Sequence, residues 1–242
     1  KKSPTDFIVG GAGATADRHD TKTISFYGLK DTPTFRFGLE ASWQEGHLGV
    51  RTQAGQPVEY SGYGVASELE FRPQTSKFRF GVKTGFASGD NPETDDKFEG
   101  FIFDRNYDVA FLLCNHTLGQ KNFLRTEYVG TPNTDGVATT THDQPDIEAI
   151  SNVFYFAPHL SYKWNDRWAL EAVLATGWLQ TDPILNEVID QSLGYELDLY
   201  FNFKPNNNIT WVNGIGLLFP GTAFEGGASN SFSTDFAYGL VS

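Results

Sequence analysis

The sequence contains a single cysteine, Cys114, no methionine and few basic residues. One cysteine excludes an intramolecular disulfide, and because no metal-ligand spacing accompanies it we interpret Cys114 as a small core residue. No stretch approaches the roughly 20 apolar residues that a transmembrane helix needs, which excludes a helical membrane protein. Lys and Arg number 18 against 30 Asp and Glu, giving a net charge of −12, so nothing supplies the basic stripe with which proteins bind nucleic acid.

Aromatic residues are abundant instead. Phe, Tyr and Trp make up 15% of the chain, yet apolar residues reach only 39% and the mean hydropathy is −0.35. A transmembrane β-barrel combines these properties, because each strand is apolar towards lipid and polar towards the lumen. The composition therefore predicts an all-β fold, an antiparallel transmembrane β-barrel.

Alternation of apolar and polar residues supports this fold class. It is clearest over residues 35–44, 77–86, 154–164, 168–178 and 193–203. Period-two patterning indicates strands with two different faces, and runs of about 9–11 residues or more are long enough for a tilted strand to cross a bilayer. The five Trp residues share the apolar phase, several of them near strand ends, as in the aromatic girdles of such barrels.

The connections between these runs also alternate in length. Tight turns rich in Asp, Asn and Pro lie at 31–33, 73–75, 165–166 and 205–207, whereas the links between them are longer. Short turns are typical of the periplasmic side of a barrel and long loops of the outside. We therefore predict one domain, residues 1–242, with ten strands. These are about residues 6–15, 22–30, 34–44, 58–72, 76–88, 149–164, 167–180, 192–204, 208–219 and 232–242.

One link, residues 89–148, is too long for an ordinary loop. A link of this length inside a domain is usually functional or contains an unrecognised element. Two alternatives follow: the segment folds into the lumen as a constriction, or it contains one further hairpin.

Four short motifs follow one another between Lys22 and Asp108. They are EASWQEG at 40–46, GYG at 62–64, ASGDNP at 87–92 and FDRNYD at 103–108. Their order and spacing resemble the C-terminal half of the alginate-export family of outer-membrane porins, whose first part has no counterpart here. The resemblance implies either a C-terminal portion of such a porin or a smaller relative. It also implies transport of an anionic polysaccharide or of other small solutes, although a barrel's solute is set by its lumen and loops.

Charged residues in the polar phase of the strands are candidates for the lumen. The cations that we expect to guide anions are Arg36, Lys77, Arg79, Lys83 and Lys163. Charged rings set the selectivity of a pore. The carboxylates in the same phase are Glu40, Glu68, Glu70, Glu171, Glu196 and Asp198. The alternative is that these carboxylates pair with the cations across strands and fill a narrow barrel, since small barrels are packed with side chains.

The loop 88–96 is acidic and is a candidate Ca²⁺-binding loop through Asp90, Glu93, Asp95 and Asp96. Calcium prefers six to eight oxygen ligands, but the spacing does not match an EF-hand, so a solvated external loop is the main alternative. No other metal site and no cofactor are expected.

Catalysis is the rival class of function. His159 and Ser161 share a strand face, but no third member completes a catalytic group, so we do not expect an enzyme. The sequence thus favours an outer-membrane channel of porin type for small, anionic or sugar-like solutes. The alternatives are a closed structural or adhesive barrel and, less favoured, a membrane hydrolase. Expected partners are the lipid bilayer, lipopolysaccharide and the solute. Export to the outer membrane requires a signal peptide, so we expect the sequence to be a mature or truncated piece.

Overall fold

The computed structural model describes residues 19–51, 56–91, 93–94, 96–104, 106–114, 150–181, 191–206, 208–224 and 237–241. The strands are β1 (Asp20–Asp31), β2 (Phe35–Arg51), β3 (Pro57–Phe71), β4 (Phe78–Ala87), β5 (Lys97–Phe98), β6 (Val153–Lys163), β7 (Trp168–Leu179), β8 (Ser192–Asn206), β9 (Ile209–Pro220) and β10 (Ala237–Val241). A short 3-10 helix covers Thr222–Phe224. Within the described residues, no helix has the length and apolarity to cross a membrane.

The strands form one ten-stranded sheet in the order β1-β2-β3-β4-β6-β7-β8-β9-β10, with β5 paired to β3 off this path. Every neighbouring pair along the path is antiparallel, so the chain runs up and down through the sheet. In the described part of the chain β1 and β10 are the two edges and do not pair with each other. The predicted all-β antiparallel fold is confirmed. Eight of the ten predicted strands correspond to strands of 10–17 residues, and the last, predicted at 232–242, corresponds to the five residues of β10. The first, at 6–15, lies outside the described residues.

One face of the sheet, which we call the outer face, carries exposed apolar side chains. Trp43, Tyr63, Phe154, Trp178 and Trp211 are among them. Cross-strand aromatic pairs stack along this face, for example Phe154 with Trp178 at 5.8 Å between ring centroids. Such pairs stabilise neighbouring strands. A continuous exposed apolar face of this kind suits lipid rather than water.

The two ends of the sheet differ in their connections. At one, the turn end, tight turns at 32–34, 72–77 and 164–167 join the strands, and only two residues separate β8 from β9. Asn165 illustrates why such sequences turn, because its side-chain oxygen accepts hydrogen bonds from the backbone N–H groups of Arg167 and Trp168. At the other, the loop end, the links between strands are longer.

The opposite, inner face is covered at the loop end by part of the long link. We call residues 96–104 and 106–114 the inward segment. It begins at β5, where Phe98 packs on Val58, and continues through Val109, Ala110, Leu112 and Leu113, which are buried, and Phe111, which is partly buried. These side chains form the main hydrophobic core together with inward residues of β6 to β9, among them Tyr155 and Leu218. In its described part the long link packs against the inner face of the sheet. Residues 115–149 lie outside the described residues, so a constriction and a further hairpin both remain predictions.

Candidate functional site on the inner face

A cavity of about 290 Å³ opens at the turn end of the inner face. Cationic side chains dominate its lining because the inward positions of β4, β6 and β8 end in basic residues near the turns. These cations are Lys77, Arg79, Lys163, Arg167 and Lys204. Asp166 is the one acidic residue of the lining. The cavity therefore presents a positive surface to the solvent at this end.

Only part of that positive charge is compensated. Lys163 donates a hydrogen bond to Asp166 at 2.8 Å, and this bond holds the pKa of the Asp166 carboxyl below its usual range. Lys77 donates to the backbone oxygen of Trp164, which carries no net charge. Arg79, 57% exposed, reaches Glu70 only at 3.9 Å. A loose, exposed contact of this kind leaves the guanidinium available to a solute.

Glu70 is instead held by Arg72 at the end of β3. The two side chains are 2.6 Å apart, and Arg72 also contacts Asp31 at 3.2 Å. Arg36 lies opposite Glu70 in the β2–β3 register. At this edge of the inner face the cations therefore lie beside carboxylates on neighbouring strands. A solute would have to compete with these carboxylates for the positive charge.

A second cavity, of about 270 Å³, lies in the middle of the inner face and shares Asn202 with the first. Lys83, His159, Glu171 and Tyr200 line it, so its charges are mixed. Lys83 donates a hydrogen bond to the backbone oxygen of Asp108 and lies 5.9 Å from the ring centre of Tyr107. The inward segment thus forms one wall of this cavity.

At the loop end the inner face is closed by packing. Phe101 and Phe103 lie directly over Gly64, where a Cβ atom would approach the Phe101 ring to 2.5 Å. The Tyr155 hydroxyl donates to that of Tyr107 at 2.9 Å, and burial raises the pKa of Tyr107 to about 12. Glu196 and Asp198 on β8 accept hydrogen bonds from the backbone of the inward segment.

The turn into the inward segment is fixed by a polar cluster around Gly89. The Ser88 hydroxyl donates to the backbone oxygen of Glu99 and accepts from the N–H of Tyr63. The Asn152 side-chain oxygen accepts from the backbone of Thr181 at 3.0 Å. A Cβ atom at Gly89 would lie 1.9 Å from this oxygen, so only glycine fits. This cluster gives the ASGDNP motif a structural role.

The structure brings three of the predicted lumen cations together, Lys77, Arg79 and Lys163, and separates the other two. Lys83 belongs to the middle cavity and Arg36 to the paired edge. Sequence reasoning missed Arg167 and Lys204. The alternation of β8 places Lys204 in phase with Asn202, so that signal was available, whereas Arg167 lies in a turn, where no periodicity applies.

The candidate Ca²⁺ loop remains a prediction. The Asp90 carboxylate accepts the backbone N–H of Glu99 at 2.8 Å, and the backbone oxygen of Asp96 accepts that of Glu59. Asp95 lies outside the described residues. Among residues that are described, no three His, Cys, Asp or Glu side chains come close enough to hold a metal ion.

A hydrolytic group gains no support from the geometry. In the described part of the chain no hydrogen bond joins His159 to Ser161, although both lie on the inner face. The His159 ring packs over Gly81 instead, where it would lie 2.3 Å from an added Cβ atom. Burial raises the pKa of the Cys114 thiol to about 12, which leaves it neutral and a poor nucleophile.

Two comparisons with known proteins bear on this arrangement. A protein-family model described as Alginate export matches residues 11–237, nearly the whole chain. No curated protein matches the sequence. The matched range contains both cavities, the inward segment and the Glu196–Asp198 pair.

Proposed function

The chain belongs to the alginate export family, and from that premise we propose that it is a passive outer-membrane channel with a preference for small anionic or sugar-like solutes. The family is a transport family whose members are outer-membrane β-barrels, and it is not a family of enzymes. The exposed aromatic outer face agrees with a lipid environment.

The observation that carries the proposal is the cationic cavity at the turn end. Its five cations face one acidic residue, and Arg79 and Lys163 are more than half exposed. Fixed positive charges at the mouth of a pore raise the local concentration of anions and lower that of cations. Because the turn end is the expected periplasmic end, these cations would be the first charges that an exported solute meets.

The two cavities together support a path along the inner face. They adjoin at Asn202 on the same face of the sheet, so a path from the turn-end cavity to the middle cavity would cross no strand. The mixed charges of the middle cavity, Lys83 and Glu171, suit hydroxyl and carboxylate groups of a sugar acid equally. The inward segment then narrows the path at the loop end.

The test is single-channel conductance in a planar bilayer with a salt gradient, which reads ion preference. Replacing Lys77→Gln and Arg79→Gln removes two inward charges, and the reversal potential should move towards cations. The matched control replaces Lys22→Gln and Lys30→Gln, two exposed lysines in the outward phase of β1, and should leave the preference unchanged. Equal shifts in both pairs would contradict the proposed role of the cavity.

A closed barrel without conductance is the second candidate, because the inward segment packs tightly at the loop end. The same experiment separates the two. A folded, heat-modifiable protein that never conducts would favour the closed barrel.

A further inference from the structure

Three successive backbone N–H groups of the inward segment point at two carboxylates of β8. Phe111 donates to Asp198 Oδ2 at 3.0 Å, Leu112 to Glu196 Oε1 at 2.7 Å and Leu113 to Glu196 Oε2 at 2.5 Å. Consecutive N–H groups that converge in this way form a concave site for an anion. Here the anion is supplied by the wall of the sheet itself.

Both carboxylates are completely buried, with 0% exposure for Glu196 and for Asp198. Within the described residues, neither forms an ion pair with Lys or Arg, and Asp198 Oδ1 has no hydrogen-bond partner. Buried carboxylates are costly unless charged or dipolar groups compensate them. The N–H groups of the inward segment, together with a hydrogen bond between the two carboxyl groups themselves, compensate this burial.

The two carboxylates are also closely packed on their other side, against β9. Gly216 of β9 lies against the pair, and a Cβ atom there would lie 2.9 Å from an oxygen of each carboxylate and 2.8 Å from the Phe111 ring. The absence of a side chain at this inward position makes room for both the carboxylates and the segment. Residues of β8, of β9 and of the inward segment therefore meet at this one contact.

We propose that Glu196 and Asp198 are positioning residues that fix the inward segment across the path, and that the segment in turn keeps these two acidic groups away from water and from the solute. The inference rests on the proposed channel function, and it extends that function in one respect. Anion preference depends on covering two carboxylates as well as on exposing five cations.

The masking role follows from the position of the two carboxylates on β8. Glu196 and Asp198 lie in the same inward phase of β8 as Asn202 and Lys204, which line the turn-end cavity. Removing the segment would bring two carboxyl groups, which ionise in contact with water at neutral pH, to the wall that the solute follows. Charges on the wall of a narrow, low-dielectric path act more strongly than charges in bulk water.

The anchoring role is tested by labelling Cys114, the one cysteine of the chain, with a polar maleimide on the folded protein. Replacing Glu196→Ala together with Asp198→Ala leaves three N–H groups without an acceptor, and labelling should become roughly tenfold faster or more. Replacing Glu196→Gln with Asp198→Asn keeps an acceptor oxygen at each position and should restore most of the protection. Glu171→Ala, an inward carboxylate without a hydrogen bond to the described inward segment, is the matched control.

The masking role is tested with two double variants, both of which should release the inward segment. Leu112→Pro with Leu113→Pro removes the two N–H donors to Glu196 but leaves the carboxylates in place, because proline has no N–H. The alanine pair removes the carboxylates as well. Both should conduct more than the unmodified protein, but only the proline pair should shift its preference towards cations.

The outcomes separate this inference from the channel proposal. Unchanged Cys114 labelling in the alanine pair, in protein that remains heat-modifiable, would overturn the anchoring role whatever the conductance. Faster labelling with the same ion preference in both pairs would overturn the masking role. Faster labelling without conductance in any variant would support the anchor and contradict the channel. If the alanine pair does not fold, the labelling rate of the amide pair is compared with that of Glu171→Ala. Equal protection of Cys114 in the two proteins supports an anchor that depends on acceptor oxygens. Complete loss of protection in the amide pair contradicts such an anchor.

Discussion

The loop-end and turn-end halves of the inner face belong to the same strands but have opposite character. At the loop end, Tyr155 and Ala175 are fully buried beneath the inward segment, whereas at the turn end Arg79 and Lys163 are more than half exposed around an open cavity. Alternation places all four side chains inward and cannot distinguish the halves. The difference teaches that a second pattern, the size and charge of the inward residues along each strand, decides where the interior is filled.

That second pattern is visible in several neighbouring strands. Several inward positions beneath the inward segment are small, as at Gly64, Gly85 and Ala157, whereas long charged residues such as Arg79 and Lys163 line the cavity at the turn end. Small inward residues leave room that only another chain segment can fill, because interiors are close-packed. Long charged residues fill part of the interior themselves, and their charged groups must stay hydrated. The gradient therefore assigns packing to one end and solute contact to the other.

The sharpest test of the comparison places a thiol at each end. Cys114 should react slowly with maleimide, because burial raises its pKa to about 12 and leaves little thiolate at pH 8. Ser161→Cys, in a Cys114→Ser background, places a thiol in the cationic cavity, where Arg79 and Lys163 favour the thiolate. The rates at pH 8 should differ by roughly a thousandfold or more, given an ordinary thiol pKa near 8.5.

The pH dependence of the labelling rate provides a second test of the difference between the two thiols. A raised pKa means that the thiolate population of Cys114 keeps growing up to about pH 12, so its labelling rate should rise throughout the alkaline range. The rate of the introduced thiol should level off near or below pH 8. Similar rates and similar profiles at the two positions would remove the proposed contrast.

The next test concerns the small inward residues. Gly64→Val should lower the free energy of unfolding by about 1–3 kcal/mol, because a Cβ atom would lie 2.5 Å from the Phe101 ring and the inward segment would have to move. Gly38→Val is the matched control: it lies in the inward phase of neighbouring β2, and the nearest neighbour of its Cβ would be Leu29 at 3.9 Å. It should change stability by no more than about 0.5 kcal/mol. Urea unfolding followed by tryptophan fluorescence measures both, and equal losses would contradict the gradient.

Most of the sheet could be predicted from the sequence because alternation, tight turns and Trp positions are local signals. The nine strands of the main path follow from them, with bounds that differ by up to seven residues. The partner of Glu196 and Asp198 could not be predicted, because it is a backbone 83 to 87 residues away and backbone donors leave no trace in side-chain patterns. Pairing with cross-strand cations was one of two alternatives that the sequence left open for the lumen carboxylates, and within the described residues neither Glu196 nor Asp198 forms such a pair. The cavity cation Arg167 was missed for a similar reason, since turns have no phase.

A smaller effect is expected at the hydroxyl pair beneath the segment. Tyr107→Phe and Tyr155→Phe each remove one side of a hydrogen bond of 2.9 Å, and each should cost about 0.5–1.5 kcal/mol. Tyr155 is completely buried, so in Tyr107→Phe its hydroxyl has no water to replace the lost partner, and the double variant should cost less than the sum of the single ones. A double-mutant cycle on the free energy of unfolding measures the coupling. Strict additivity would mean that the two hydroxyls do not act as a pair.

The smallest effect belongs to the turn end. Lys163 and Asp166 form the tightest ion pair of the cavity, at 2.8 Å, yet Asp166 is almost fully exposed. Its lowered pKa contributes stability only above the ordinary aspartate range, and that contribution is lost as the pH falls through the lowered value. Solvent screens such a pair, so Asp166→Asn should leave the unfolding free energy at pH 7 unchanged within error while freeing Lys163 to attract anions. The variant should therefore shift the reversal potential towards anions without a change in stability. A destabilised protein with unaltered ion preference would show instead that this end of the inner face, like the other, is built for packing.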